Sequence, residues 1–312
     1  MGLFAQGLDD FSLSRESVKW GIPVPFNKQQ VIYVWVEALL NYLTALGYGS
    51  QNEKNFKKFW PADLHLMGKE IIKFHVIYWP AMLLAAGLPV PRKIFAHGFF
   101  TVDGQKMSKT LGNVINPHDL VSKYGSDAAR YLILSQFPFG QDGDIKAEKF
   151  VEQYNDQLAN NLGNMFSRVM KLAQDIKAEK LVGGTEQEKE ISGRLQKTWV
   201  VYEQAMANLQ IDQGLNAVRS LIDFGNKYIN ETKPWELKKN DPRRFITVML
   251  GLLEMLRHLT WLIQPFLPAT AEKMLVQLGV VDDKKLPYEQ IKQWREFDSS
   301  GIKEGVSLFP RI

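Results

Sequence analysis

Residues 104–114 read GQKMSKTLGNV, and two lysines, Lys106 and Lys109, bracket Met107 and Ser108 in this glycine-flanked stretch. Lysine carries a compact ammonium on a flexible stem, so two of them on a loop suit a polyphosphate whose charge changes during a reaction. Gly104 and Gly112 lower the steric cost of bending such a loop toward a ligand. A second group lies in Tyr33–Tyr42, YVWVEALLNY, where Trp35, Ala38, Leu39 and Tyr42 share one side of a helix entered from a strand. They form an apolar wall of the kind that ordinarily packs in a core and can also line a pocket. A third lies in Gly68–Pro80, GKEIIKFHVIYWP. Gly68 lets a ligand approach the backbone, and the Glu70 carboxylate can accept both ribose hydroxyls of a nucleotide. Ile71, Phe74 and His75 stand at i, i+3 and i+4 and project from one helix face, where a histidine can be structural or binding. Farther on, Asn164 and Arg168 are adjacent on a helix face, and Trp235 follows a proline in KPWELKK.

The elements that would position these residues change character along the chain. Gln30–Trp35 reads as a strand and Ala38–Leu46 as a helix. Asp63–Met67 reads as a short buried strand, and an amphipathic stretch from Glu70 to Ala86 ends before Pro89 and Pro91. Ile94–Val102 predicts another strand, leading straight into the lysine loop. Strand–helix–strand alternation argues for a parallel sheet with crossover helices, whose ligands sit beyond the carboxyl ends of the strands. Asn116 and Pro117 predict a helix entry, with Asn as cap and Pro in the first turn. Ser126 and Asp127 read as the cap of a second helix, Ala128–Ser135, and Gly140–Asp144 as a turn.

After about residue 146 the strand signal disappears, and Phe150, Tyr154, Leu158, Leu162, Met165 and Val169 recur at the spacing of one buried helix face. Gly183 and Gly184 end that arm. Helical patterns over Glu188–Asn208, Gln213–Asn230, Arg243–Ile263 and Ala269–Leu278 complete a bundle of about five helices. The expected architecture is α/β plus all-α. A partial Rossmann-like parallel-sheet domain occupies 1–115, a connector 116–145 and a helical bundle 146–312.

Composition sets the limits. The 312 residues can hold two domains, each with its own core. A hydrophobic share of 45% with 23% charged residues excludes a disordered chain. Apolar stretches such as Val248–Leu256 are short, so none is expected to span a bilayer. The chain has no cysteine, which excludes disulfides and cysteine-ligated zinc within it. Lys+Arg exceeds Asp+Glu by 38 to 34, which permits a nucleic-acid partner without establishing one. Composition alone supports a cytosolic α/β or α+β protein.

The string KMSKT resembles the KMSKS signature of class I aminoacyl-tRNA synthetases, with Thr110 in the last place. YVWVEALLNY and GKEIIKFHVIYWP narrow the resemblance to methionyl-tRNA synthetases, and it covers essentially the whole chain. By that resemblance, Trp35, Ala38, Leu39, Tyr42, Ile71, Phe74, His75 and Trp79 surround a methionine side chain, whose sulfur is suited by an aromatic, pliable pocket. Gly68 and Glu70 would hold the adenosine of ATP. Lys106 and Lys109, with Met107 and Ser108, would clamp its phosphates, Lys109 being the family's usual nucleotide contact. Glu37 stands where the family commonly has aspartate. GNMFSR and the dipeptide PW resemble the anticodon-reading elements, so Asn164, Arg168 and Trp235 would read tRNA(Met), the indole stacking on a base. LFPRI (Leu308–Ile312) resembles the end of the family's core.

The resemblance implies methionine activation with ATP and Mg2+, then transfer to tRNA. No HIGH-type string occurs among these residues, nor the zinc-knuckle insertion. The chain is therefore expected to be a carboxyl-terminal portion that needs a separate amino-terminal half. The alternative is a catalytically inactive tRNA-binding fragment. A synthetase for leucine or isoleucine is disfavoured by GKEIIKFH and PW.

Overall fold

The computed structural model describes residue 7 and residues 10–108, 110–176, 186–295 and 297–312. Two compact units divide the chain, Met1–Phe99 and Phe100–Ile312.

In the first unit, β1 (Ser14–Arg15) and β2 (Pro23–Val24) flank β3 (Asn27–Ile32) in an antiparallel sheet. The expected strand over Gln30–Trp35 stops at Ile32, because Val34 already begins helix α1 (Val34–Thr44). Helix α2 (Lys54–Phe59) follows. Strand β4 (His65–Gly68) alternates, burying His65 and Met67 and exposing Leu66. It pairs in parallel with β5 (Ile94–His97), in register His65↔Ile94 to Gly68↔His97. The crossover between them is helical but irregular. A 3₁₀ turn (Lys69–Ile71) leads into a π-helical turn (Phe74–Tyr78) and then α3 (Trp79–Ala85). Such insertions re-aim side chains that a regular helix would place elsewhere. Leu39, Leu43, Trp60, Trp79 and Leu83 form the core between the two helical layers.

The second unit opens on β6 (Phe100–Val102), which pairs antiparallel with β7 (Gln105–Lys106) and parallel with β8 (Gly143–Ile145). The single strand expected over Ile94–Val102 is thus two, interrupted at Gly98–Phe99 and shared between different sheets. The turn expected over Gly140–Asp144 ends as the strand β8. Asn116 caps α4 (Pro117–Tyr124) as expected, its side chain accepting from the His118 amide at 3.0 Å. The cap expected at Ser126 and Asp127 is not formed. Helix α5 (Ser126–Leu134) begins at Ser126, after Gly125, and Asp127 accepts instead from the Thr270 amide at 2.6 Å. Asp127 thereby caps a helix 143 residues away, a use that no local pattern announces.

No strand follows residue 145 among the described residues. Helix α6 (Phe150–Gln153) passes through a π-helical stretch (Tyr154–Gly163) into α7 (Asn164–Ala173). Phe150, Tyr154, Leu158, Leu162, Met165 and Val169 are all buried along it. The expected break at Gly183 and Gly184 lies outside the described residues. Helices α8 (Glu186–Ala207), α9 (Ile211–Thr232), α10 (Pro234–Asn240), α11 (Pro242–Ile263) and α12 (Pro268–Leu278) build the bundle, and the short α13 (Tyr288–Ile291) follows. Helix α11 is long and apolar enough to cross a membrane, contrary to the reading of short apolar runs. It is the core helix of the bundle, with 83% of its apolar window buried inside the unit.

One cation interrupts this apolar helix. Arg257 is wholly buried, and each of its five N–H groups has an acceptor. Nε and Nη2 donate to the Glu254 carboxylate at 2.7 and 2.6 Å. Nη2 also reaches the Gln293 carbonyl, and Nη1 the Ile291 carbonyl and Asp283. Arg295 adds a bidentate pair to Asp283. His258 Nδ1 accepts from Trp199 Nε1 at 2.8 Å, so its proton sits on Nε2, which faces Glu254 at 3.3 Å. Burial pushes the Glu254 carboxyl up, and the hydrogen bonds from Arg257 and His258 outweigh it, holding it down at about 2.

Replacing Arg257 with Ala takes the bidentate cationic partner from the buried Glu254 carboxylate, which costs about 3 to 5 kcal/mol. The urea midpoint followed by helical circular dichroism is expected to fall accordingly; a variant as stable as the parent would show the network to be dispensable. Because Glu254 binds its proton more weakly when folded, its contribution is full above its ordinary range near 4.5 and is lost as pH falls toward about 2.

Candidate functional site

In the first unit, helix α1 and the irregular crossover meet through their aromatic residues. Trp35 lies flat on Phe74, with ring centroids 4.1 Å apart and planes 11° from parallel. One turn on, Leu39 is buried against Trp79, and Tyr42 Oη contacts His75 Nε2 at 3.0 Å. His75 Nδ1 meets the Ile71 carbonyl at 3.0 Å. A carbonyl only accepts, so Nδ1 carries the proton and Nε2 accepts from the Tyr42 hydroxyl. Both ring nitrogens are therefore committed, which makes His75 a fixed part of the wall. Of the eight residues expected to line this region, Trp35, Tyr42, Ile71 and Phe74 are half-buried and Ala38 is exposed. Trp79 is fully enclosed, and Leu39 and His75 nearly so, so these three back the wall.

His65 belongs to the same cluster and escaped the sequence reading. Its Nε2 accepts from Trp79 Nε1 at 3.3 Å, and its ring lies 4.2 Å from that of Tyr42. Burial, followed by the neighbouring His75, lowers its pKa to about 4, so it is neutral at physiological pH. The wall as a whole is aromatic. The signal available in the sequence was the alternation of His65 and Met67 on one side of a short strand.

Gly68 and Glu70 stand at the carboxyl end of β4, where ligands of parallel sheets sit. A side chain at position 68 would run into the Glu70 carboxylate, which is itself exposed. Glu37 is exposed on α1.

In the second unit, the lysine segment begins as a hairpin. Asp103 and Gly104 both have positive φ, 52° and 72°, between β6 and β7. A two-residue turn of this kind is what Asp-Gly favours, and that dipeptide was the overlooked signal. Lys106 is exposed in β7, paired with Thr101, while Met107 and Ser108 are half-buried. Lys109 lies outside the described residues.

On the bundle, Arg168 and Trp235 are brought together and Asn164 is one turn away on α7. The Arg168 guanidinium stands 5.4 Å from the centre of the Trp235 ring, and Trp235 is 41% exposed. Trp235 sits in the first turn of α10. Arg168 Nη2 donates to Asn230 Oδ1 at 2.9 Å, so α9 fixes the guanidinium beside the indole. Asn226 donates to Asn161 Oδ1 at 2.6 Å, and Asn161 in turn to Asp223 at 2.8 Å. These four partners, Asn161, Asp223, Asn226 and Asn230, were not foreseen; the last three recur at helical spacing on α9. Together they make a polar seam ending in a half-buried cation and an exposed indole.

Known proteins resemble the chain along its whole length. Residues 1–170 match the family described as tRNA synthetases class I (M), and residues 181–305 the anticodon binding domain of methionyl tRNA ligase. The methionine–tRNA ligase of Caldanaerobacter subterraneus subsp. tengcongensis is 44% identical over 311 residues, 98% of this chain and 49% of that protein. That of Bacillus subtilis is 42% identical over 312 residues, covering 98% and 47% respectively. Among solved structures, Mycobacterium tuberculosis methionyl-tRNA synthetase in complex with methionyl-adenylate superposes with a TM-score of 0.92 at 35% identity, over 99% of this chain and 62% of that one. The chain thus spans about half the length of the curated relatives it matches. By its two matched regions and its fold, the chain belongs to the class I methionyl-tRNA synthetase family.

Proposed function

We propose that this chain works in methionine–tRNA ligation, activating methionine with ATP to methionyl-adenylate and transferring it to tRNA(Met), together with an amino-terminal half that carries the HIGH-type groups. The observation that carries the reading is the aromatic wall of Trp35, Phe74, Tyr42 and His75, at the crossover of a parallel strand pair. A thioether side chain binds well at ring edges and gains nothing from a charged lining. Glu70 would accept the ribose hydroxyls of ATP beside Gly68.

In activation, the methionine carboxylate attacks the α-phosphorus and pyrophosphate leaves with the bridging oxygen. Lys106 and Lys109 would neutralise the charge that builds on it, with Met107 and Ser108 shaping the loop between them. Mg2+ would accompany the ATP phosphates. In the bundle, Trp235 would stack on an anticodon base while Asn164 and Arg168 reach its edges.

The purified chain is expected to show no methionine-dependent ATP–pyrophosphate exchange, and to gain it when an amino-terminal half from a relative is supplied. Exchange by the chain alone near the rate of an intact synthetase would refute the need for that half. No exchange in the restored complex would favour the inactive tRNA-binding fragment. In the restored complex, Lys109→Ala should cost about 3 to 4 kcal/mol of transition-state stabilisation and leave the methionine KM nearly unchanged.

The chain by itself is expected to prefer a stem-loop with the methionine anticodon CAU over one with a scrambled anticodon. Stacking of one base on an aromatic ring is worth roughly 1 to 3 kcal/mol, so Trp235→Ala should weaken binding about 5- to 150-fold. Circular dichroism separates lost contact from lost fold. A folded Trp235→Ala protein that still prefers CAU as strongly as the parent removes Trp235 from the reading site.

A further inference from the structure

The lysine loop carries like charges at close spacing between two glycines, a composition that by itself holds no single shape. Two side chains outside the lysine signature supply one. The Asn113 amide spans the loop: its Oδ1 accepts from the Ser108 N–H at 2.8 Å, and its Nδ2 donates to the Lys106 carbonyl at 3.3 Å. The Ser108 carbonyl accepts from the Leu111 amide, and the Ser108 hydroxyl from the Thr110 amide. Ser108 is therefore the pivot of a tight turn that Asn113 closes. At the other end, Asp144 on β8 reaches across the sheet. Its Oδ1 accepts from the Gly104 N–H at 2.7 Å and from the Thr101 hydroxyl at 2.8 Å. Gly104 is the second residue of the hairpin turn that launches Lys106.

We infer that Asn113 and Asp144 are positioning residues, which hold the backbone of the lysine loop from both ends and so aim Lys106. The task of that lysine, neutralising nucleotide phosphates, rests on the function proposed above; the clasp itself rests on geometry alone. Only a side chain with both a donor and an acceptor can serve at 113, because Lys106 presents a carbonyl and Ser108 an N–H. Aspartate there keeps the bond to Ser108 and loses the one to Lys106. Asparagine at 144 keeps an acceptor oxygen for Gly104.

Amide hydrogen exchange on the full chain tests the clasp. Ser108 should exchange roughly five- to tenfold faster in Asn113→Ala, the range expected for one lost hydrogen bond, and Leu253 in the bundle core should not change. Asn113→Asp should keep Ser108 near the parent rate. Asp144→Ala should accelerate Gly104, and Asp144→Asn should largely restore it. Ser108 exchanging at the parent rate in Asn113→Ala overturns the inference. If Leu253 also accelerates in that variant, Asn113→Asp decides, since a fast Ser108 amide in a folded Asn113→Asp protein overturns it too. Adding MgATP separates the two readings. A parent Ser108 amide slowed by MgATP, with less slowing in Asn113→Ala, supports positioning for nucleotide. A clasp intact in the parent and indifferent to millimolar MgATP leaves the geometry standing and counts against the phosphate role of the loop.

Discussion

A guanidinium in the middle of an apolar helix sets the terms for the bundle. Arg257 has no water to turn to, so each of its five N–H groups must find a protein acceptor or cost a full desolvation penalty. Meeting that demand draws in Glu254 from its own helix, Asp283 from the following segment, and two backbone carbonyls at Ile291 and Gln293. Arg295 then finds Asp283, and His258 finds Trp199 on α8. One buried charge thus fastens α8 and the stretch from Asp283 to Arg295 to α11. Apolar packing alone tolerates sliding, whereas bidentate pairs fix register and angle.

The stiffness of that core bears on the seam at the surface. Helices α7, α9 and α10 carry Arg168, Asn230 and Trp235 as outward-facing groups of elements whose other faces are buried in the bundle. A long arginine side chain has much rotamer freedom, and the hydrogen bond to Asn230 holds Arg168 in one orientation. Chemistry differs between the two compact units. The first presents an aromatic wall, in which burial holds the pKa of His65 at about 4. The second presents exposed Lys106 on a pinned hairpin.

The family and the overall architecture were legible in the residues. Three ordered strings carried the resemblance, and helical periodicity marked the bundle, because a buried helix face must repeat every three to four residues wherever it packs. The cap at Asn116 was equally legible, since cap and capped amide are two residues apart. The hairpin at Asp103 and Gly104 was written in its dipeptide and overlooked beside the lysines. The strand expected over Ile94–Val102 failed because propensity cannot see that its two ends pair with different partners.

What the sequence by itself determined is therefore local: residue types, helical faces, short-range caps and the strings that carry family identity. Tertiary structure alone decided where distant groups meet. Asp127 caps a helix far along the chain, Asp144 holds Gly104, His65 joins the wall through Trp79, and Asn230 orients Arg168. Each is one hydrogen bond between residues that no spacing rule relates. Asp and Asn can satisfy a nearby amide or a remote one at similar energy, and only the folded backbone brings one of them within about 3 Å.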